Sequence, residues 1–206
     1  MPLEEIRNER IKKLGILRER GITPYPSAYR RTHSIIEVLQ KFSALERAKK
    51  KLSIVGRIMA KREHGGSTFF DLRDDSGKIQ IYLKKDILVN AYDLALETID
   101  IGDFIGVEGR VFKTQKGEPT IEVSSWSMLA KSLRPLPEKW HGLQDVEERF
   151  RKRYLDLLMN NEIRARFVLR SQIIDTIRDF HRKNGFLEVE TPMLQSIPGG
   201  ALARPF

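Results

Sequence analysis

Apolar and polar positions recur along this chain with two different periods, and the point where the period changes is its main landmark. Residues 3–20 place Leu3, Ile6, Leu14 and Leu17 on a thin apolar line among charges, which predicts a helix. Gly21 and the run Thr23, Pro24, Tyr25, Pro26 end it. Ser34 and Glu37 have capping-box spacing and open a second helix, with Val38, Leu39, Phe42 and Leu45 as its buried stripe. Lys49, Lys50 and Lys51 suit that helix's negative end.

From Leu52 the period becomes two. Residues 52–60 read as a long strand with a bend or bulge at Gly56. Residues 68–73 and 78–83 read as a hairpin turned by Asp75, Ser76 and Gly77. A short amphipathic helix over 87–96 follows, then strands over 103–113 and 119–129 joined at Lys116 and Gly117. Three strands, a helix and two strands are the order of a five-stranded OB barrel, whose strand 2–3 face and loops bind oligonucleotides. Pro135 and Pro137 impose an extended link. Helical material over 145–159 precedes a helix over 162–184, with Ile163, Phe167, Ile174, Ile177 and Phe180 on its inner face and Gly185 as its stop. A strand over 186–190, ended by Thr191 and Pro192, completes the reading. The fold class is mainly β plus α: N-terminal helices over 1–51, the barrel over 52–131, a link over 132–160, and a helix–strand segment over 161–206.

Composition narrows the class. With 40% hydrophobic and 32% charged residues the chain has the make-up of a globular protein with a real core. No apolar run approaches the roughly 20 residues that span a bilayer, and the start has no signal-peptide block. These readings predict a cytoplasmic protein without a membrane partner. Absence of cysteine excludes disulfides, thiol catalysis and Cys-ligated zinc. The net charge of +9 predicts an anionic partner. Its distribution says more: residues 1–51 carry 13 Lys/Arg against 6 Asp/Glu, whereas residues 52–130 carry 10 against 12.

Enzyme signatures are missing. No phosphate-binding P-loop or nucleophile elbow is present. His33, His64, His141 and His181 lack metal spacing, so no metal site is expected. Asp74 and Asp75 precede a glycine turn and read as a solvated turn. Nucleic-acid chemistry is better represented. Phe69 or Phe70 can stack a base, but strand alternation turns only one of them outward. Arg57, Gln80, Glu118 and Glu122 are polar residues on or beside the same strands, and an amide with a carboxylate reads the Watson–Crick edge of an unstacked base.

Three further stretches carry a resemblance. Residues 133–157 run LRPLPEKWHGLQDVEERFRKRYLDL; RSQII at 170–174 leads to GFLEVETPML at 185–194; and 197–206 read IPGGALARPF. Together they resemble bacterial-type class II lysyl-tRNA synthetases over nearly the whole chain. The second stretch is similar to motif 1, the helix and strand that build the family's homodimer interface. Motif 1 alone leaves aspartyl and asparaginyl relatives open, and the first and third stretches favour lysine.

The resemblance implies that Phe69 stacks on an anticodon base of lysine tRNA, with Gln80 and Glu118 at its edge, Glu122 competing with Glu118, and Arg57 on the same surface. It implies a dimer element containing Arg170, Ile174, Phe180 and Pro192, and an amino-acid pocket wall at Gly199 and Gly200. The basic N-terminal helix resembles one that adds phosphate contacts to tRNA. ATP and Mg2+ serve the family's reaction, but motifs 2 and 3 lie outside this sequence, so the chain alone is expected to bind neither and to catalyse no lysine-dependent pyrophosphate exchange. A self-standing OB module for single-stranded nucleic acid is the alternative from another class.

Overall fold

The computed structural model describes residues 2–137 and 145–193. The chain divides into two compact units, Met1–Leu136 and Pro137–Phe206.

The first unit is built on a closed barrel of β1 (Leu52–His64), β2 (Ser67–Arg73), β3 (Lys78–Lys84), β4 (Phe104–Lys113) and β5 (Pro119–Ala130), in the order β1-β2-β3-β5-β4. Pairing of β3 with β5 is parallel and every other pair is antiparallel. Strand alternation sends Ile54, Ile58, Phe70, Leu72, Ile81, Leu83, Ile105, Val107, Ile121 and Val123 inward, all fully buried. Closure removes sheet edges and leaves the other residue set as one continuous outer face. The expected OB barrel is therefore present.

Two details differ from the sequence expectation. The irregular step in β1 falls between Ile58 and Ala60, not at Gly56. Gly56 has another duty: a Cβ there would lie 2.7 Å from the Arg73 carbonyl oxygen, so β2 can approach only a glycine. The helix expected over 87–96 is two pieces, α4 (Lys85–Leu88) and α5 (Asn90–Thr98), broken at Val89 with φ of 50°. From α5, Tyr92 is buried and its hydroxyl meets that of Thr68 at 3.0 Å, while Trp126 donates to the Ala91 carbonyl.

Helices α1 (Leu3–Glu19), α2 (Ile35–Gln40) and α3 (Phe42–Ala48) precede the barrel. In α1, Leu14 and Leu17 are buried as expected, but Leu3 is 53% exposed. The buried residue that the apolar line did not show is Arg10. It donates to the backbone carbonyls of Ser132, Arg134 and Ile101, each at 3.0 Å. Lys13 reaches Asp100 at 2.6 Å, and Lys131, whose side chain is wholly buried, bonds Asp100 and Asp103 at 2.6 Å each. Burial pushes the Asp103 carboxyl up, and Lys131 with two backbone N–H groups only partly offsets it. Burial also works against Asp100, but bonds from Lys13 and Lys131 hold it below the ordinary range. These ions clamp α1 to the base of the barrel.

The capping box at Ser34 and Glu37 forms, Glu37 accepting the Ser34 N–H at 2.7 Å. The next two amides of α2 are capped from a distance: Ile35 N–H donates to Asp74, and Ile36 N–H to Ser76. Asp74 is thus a buried cap rather than a solvated turn residue. It also takes the N–H groups of Ser76 and Gly77, binding the β2–β3 turn to α2.

In the second unit, α6 (Val146–Arg151), α7 (Arg153–Met159) and α8 (Asn161–Lys183) follow one another. Asp145 caps α6, and Asn160 caps α8 by accepting from Glu162 and Ile163 N–H. Buried Asp156 takes Arg149 at 3.1 Å and Arg153 at 2.6 Å. Gly185, at φ 83°, turns the chain out of α8, and Phe186 N–H returns to the His181 carbonyl. Residues 186–190 form no strand, because no described residues pair with them. Phe167, Ile174, Ile177 and Phe180, expected on an inner face, are all exposed.

Candidate nucleic-acid interface

The outer face of the barrel brings the polar and aromatic residues of all five strands together in rows. Arg62 on β1 pairs with Phe69 on β2, Phe69 with Tyr82 on β3, Tyr82 with Glu122 on β5, and Glu122 with Arg110 on β4. The neighbouring row runs Asp71, Gln80, Thr120, Phe112. Of the two phenylalanines the sequence left open, Phe70 is core and Phe69 faces out, half-exposed. The Phe69 ring lies 4.7 Å from that of Tyr82 at 30°, which braces it from one side.

Gln80 is nearly buried and its orientation is held from both ends. Its Nε2 donates to Glu118 at 3.0 Å, and its Oε1 accepts from the Thr120 hydroxyl at 2.9 Å. The carboxylate can only accept, so the amide nitrogen must face Glu118 and the oxygen Thr120. One amide hydrogen and one oxygen lone pair remain for a ligand. Glu118 itself is exposed at the mouth of the β4–β5 turn. Glu122 is half-exposed one row away, opposite Tyr82 and Arg110. Both acids thus lie on this face, and Glu118 is the one bonded to Gln80.

Arg57 is placed differently from its expected partners. Its guanidinium donates to the Gly102 carbonyl at 3.0 Å and lies 4.1 Å over the Phe104 ring. Burial lowers its pKa, and Asp103 works the other way. The β1 cation beside Phe69 is instead Arg62, which bonds Asp71 at 2.7 Å. Burial is the largest influence on Asp71 and raises its pKa, but Arg62 and Lys78 outweigh it and leave the carboxyl low. Arg62, Tyr82 and Arg110 were missed by the sequence reading. Counting outward from the Gly65–Gly66 turn pairs Arg62 with Phe69 and would have found the first.

The N-terminal helix contributes less free charge than its composition suggests, since Arg10 and Lys13 are engaged within the fold. In the second unit, Arg170, Ile174, Phe180 and Pro192 are exposed on α8 or just beyond it. Gly199, Gly200 and His141 lie outside the described residues. No helix among the described residues is long and apolar enough to cross a membrane.

Comparison with known families agrees with this arrangement. Residues 52–129 match the OB-fold nucleic acid binding domain, and residues 145–206 match the class II tRNA synthetases of the D, K and N group. The class is therefore a nucleic-acid-binding OB domain joined to class II synthetase sequence. Within it, the relatives are lysine–tRNA ligases. That of Carboxydothermus hydrogenoformans is 56% identical over 205 residues, 99% of this chain and 41% of the relative. Those of Dehalococcoides mccartyi and Fervidobacterium nodosum are each 48% identical, over 100% and 99% of this chain and 42% and 40% of the relative. The chain is thus similar to lysine–tRNA ligases over nearly all of its own length, and it spans about two fifths of the length of these relatives.

Proposed function

We propose that this chain reads the anticodon arm of a lysine-accepting tRNA within a lysine–tRNA ligase, a cytoplasmic enzyme that activates lysine with ATP and loads it on the tRNA. The observation that carries the reading is the outward Phe69 ring beside the Gln80–Glu118 pair. A splayed anticodon base stacks on Phe69, whose tilt is braced by Tyr82. The free hydrogen and lone pair of the Gln80 amide then meet an acceptor and a donor on the Watson–Crick edge of that base. Glu118 and Thr120 hold the amide in this orientation before the base arrives, so little rotamer freedom is lost on binding. Phosphates find cations at Arg62, Arg110 and the exposed basic residues of α1.

The exposed apolar face of α8, with Ile174 and Phe180 on it and Arg170 and Pro192 beside it, is covered in this reading by a second copy of the chain. Gly199 and Gly200 are proposed to wall the lysine pocket. ATP and magnesium belong to the reaction of the whole ligase. Among the described residues no group of three or more His, Cys, Asp or Glu could hold the ion, and no residue of this chain is assigned to either.

Anisotropy titration with a labelled anticodon stem-loop of lysine tRNA tests the reading. Replacing the middle anticodon uridine is expected to weaken binding by roughly 1–3 kcal/mol, the scale of one stacked base. Equal binding of both loops, with strong salt dependence, would leave only a basic OB module.

A further inference from the structure

Asp71 is a carboxylate in the middle of a face that serves an anionic ligand. Strand alternation turns it outward between the core residues Phe70 and Leu72, yet it is buried. Gln80 stands opposite it on β3, and two cations bond it. Arg62 Nη2 donates to Oδ1 at 2.7 Å, and Lys78 Nζ to Oδ2 at 3.3 Å. The Arg62 bond is a diagonal one. Arg62 is in register with Phe69, and the residue opposite Asp71 on β1 is Ala60, whose methyl leaves the guanidinium room to fold back. Both cations face water, with side chains 45% and 59% exposed, and ion pairs this open contribute little to stability. Charge alone argues against the carboxylate, since without it the face would draw nucleic acid more strongly. What it supplies is direction.

We propose that Asp71 is a positioning residue for base reading: it aims the Arg62 guanidinium at the phosphate of the nucleotide stacked on Phe69. A guanidinium carries its N–H donors in one rigid plane, so fixing one of them on Asp71 fixes where the others point. Untethered, the same side chain would carry its charge on a flexible stem and take any phosphate within reach. Gln80, in register with Asp71, is held from its other side by Glu118 and Thr120. The base-reading amide and the phosphate-holding guanidinium are thus both set before the nucleotide arrives, which lowers the ordering cost of binding. Only a nucleotide that seats its base on Phe69 brings its phosphate to the place where Arg62 points. This role rests on the anticodon reading above and deepens it: Asp71 gives up attraction for nucleic acid in general and adds discrimination for the seated nucleotide.

The test uses the 206-residue chain and two labelled stem-loops, that of lysine tRNA and the same loop with its middle uridine replaced. Asp71→Asn keeps the shape of the side chain and removes its charge. It is expected to weaken binding of the lysine loop about tenfold, the worth of one charge-assisted hydrogen bond. The replaced loop should bind as before or more tightly, with a salt slope steeper by about 0.7 for a released cation that finds a phosphate. If Asp71 merely subtracts charge, both loops will bind more tightly to Asp71→Asn, and that result would overturn the proposal. An unchanged lysine loop, or equal weakening of both loops, would overturn it too. In the Arg62→Gln background Asp71→Asn should cost the lysine loop nothing further, because the aimed group is already gone. If Asp71→Asn alone melts early, that pair decides: equal affinities support the role, and a further loss refutes it. The two readings fail separately. An unsubstituted chain that binds both loops alike removes the anticodon reading and the role of Asp71 with it, whereas a chain that discriminates but ignores Asp71→Asn loses only the role.

Discussion

The two units of this chain bury their apolar residues in opposite ways. In the barrel, five strands close on one another and Phe70, Ile81 and Ile121 are fully buried. In α8, Ile174, Ile177 and Phe180 repeat with helical spacing just as regularly, yet they are 39%, 54% and 63% exposed. A regular apolar pattern says that a face needs covering. It does not say whether the cover comes from the same segment, from elsewhere in the chain or from another molecule. The barrel answers that question locally, and α8 does not.

The sharpest way to separate the units is to cut a hole in each. Phe70→Ala removes a ring from a filled core and is expected to cost about 3–5 kcal/mol. Ile177→Ala in α8 removes a side chain that is already half in water and should change stability by no more than about 0.5 kcal/mol. Urea unfolding followed by tryptophan fluorescence reports on the barrel through Trp126, which packs against its core. Comparable losses for both substitutions would mean that α8 is covered within the chain, and the contrast would be gone.

A slightly smaller effect tests whether the barrel's closure includes α1. Asp103→Ala leaves the Lys131 ammonium with one fewer carboxylate in a wholly buried position, and should cost about 3 kcal/mol. Lys131 retains Asp100, which keeps the loss below that of an orphaned charge. The double substitution Asp103→Ala, Lys131→Met should recover part of the loss, because no unpaired charge then remains. A double variant as unstable as the sum of the single ones would show that the cluster is not a coupled unit.

These expectations also mark where sequence reasoning stops. Strand order, barrel closure and the rule that only one of Phe69 and Phe70 faces out follow from periodicity, because alternation is a local rule that closure turns into inside and outside; the choice of Phe69 came from the family resemblance. The Gln80–Glu118 pair was within reach as two polar residues on or beside neighbouring strands. Arg10 and Lys131 were not: charged residues become internal only when acceptors from distant segments converge on them, and Ile101, Ser132 and Asp103 lie about 30 to 120 residues away. Arg57 and Arg62 look alike in one dimension. The register step between Ile58 and Ala60 and the Gly65–Gly66 turn decide which of them stands beside Phe69.

Asp74 supplies a smaller, pH-dependent test of how the barrel holds its N-terminal helices. Burial acts most strongly on this carboxyl and would raise its pKa, but bonds from the Ile35, Gly77 and Ser76 N–H groups and the Ser76 hydroxyl leave it below its ordinary 3.8. A depressed folded pKa means that the stabilisation is present above 3.8 and is lost as pH falls through the folded value. Asp74→Ala should therefore cost about 1 kcal/mol near neutral pH, the usual worth of a helix cap. Its unfolding midpoint should then fall less steeply below pH 4 than that of the unsubstituted chain. Parallel pH curves would show that the cap titrates elsewhere.

The last effect is smallest in stability and largest in assembly. Ile177→Asp adds a charge to the exposed face of α8, where water already reaches the side chain, so the unfolding midpoint of the barrel should stay within about 0.5 kcal/mol of its original position. The same charge would be buried without a counter-ion if a second copy covers that face, and burying an unpaired carboxylate is costly enough to prevent association. Sedimentation velocity over a concentration series is expected to show self-association for the unsubstituted chain and a monomer for Ile177→Asp. If both sediment as monomers at all concentrations, α8 is not covered by its own copy in this chain. If both associate alike, the interface lies elsewhere, and the apolar stripe of α8 needs another partner.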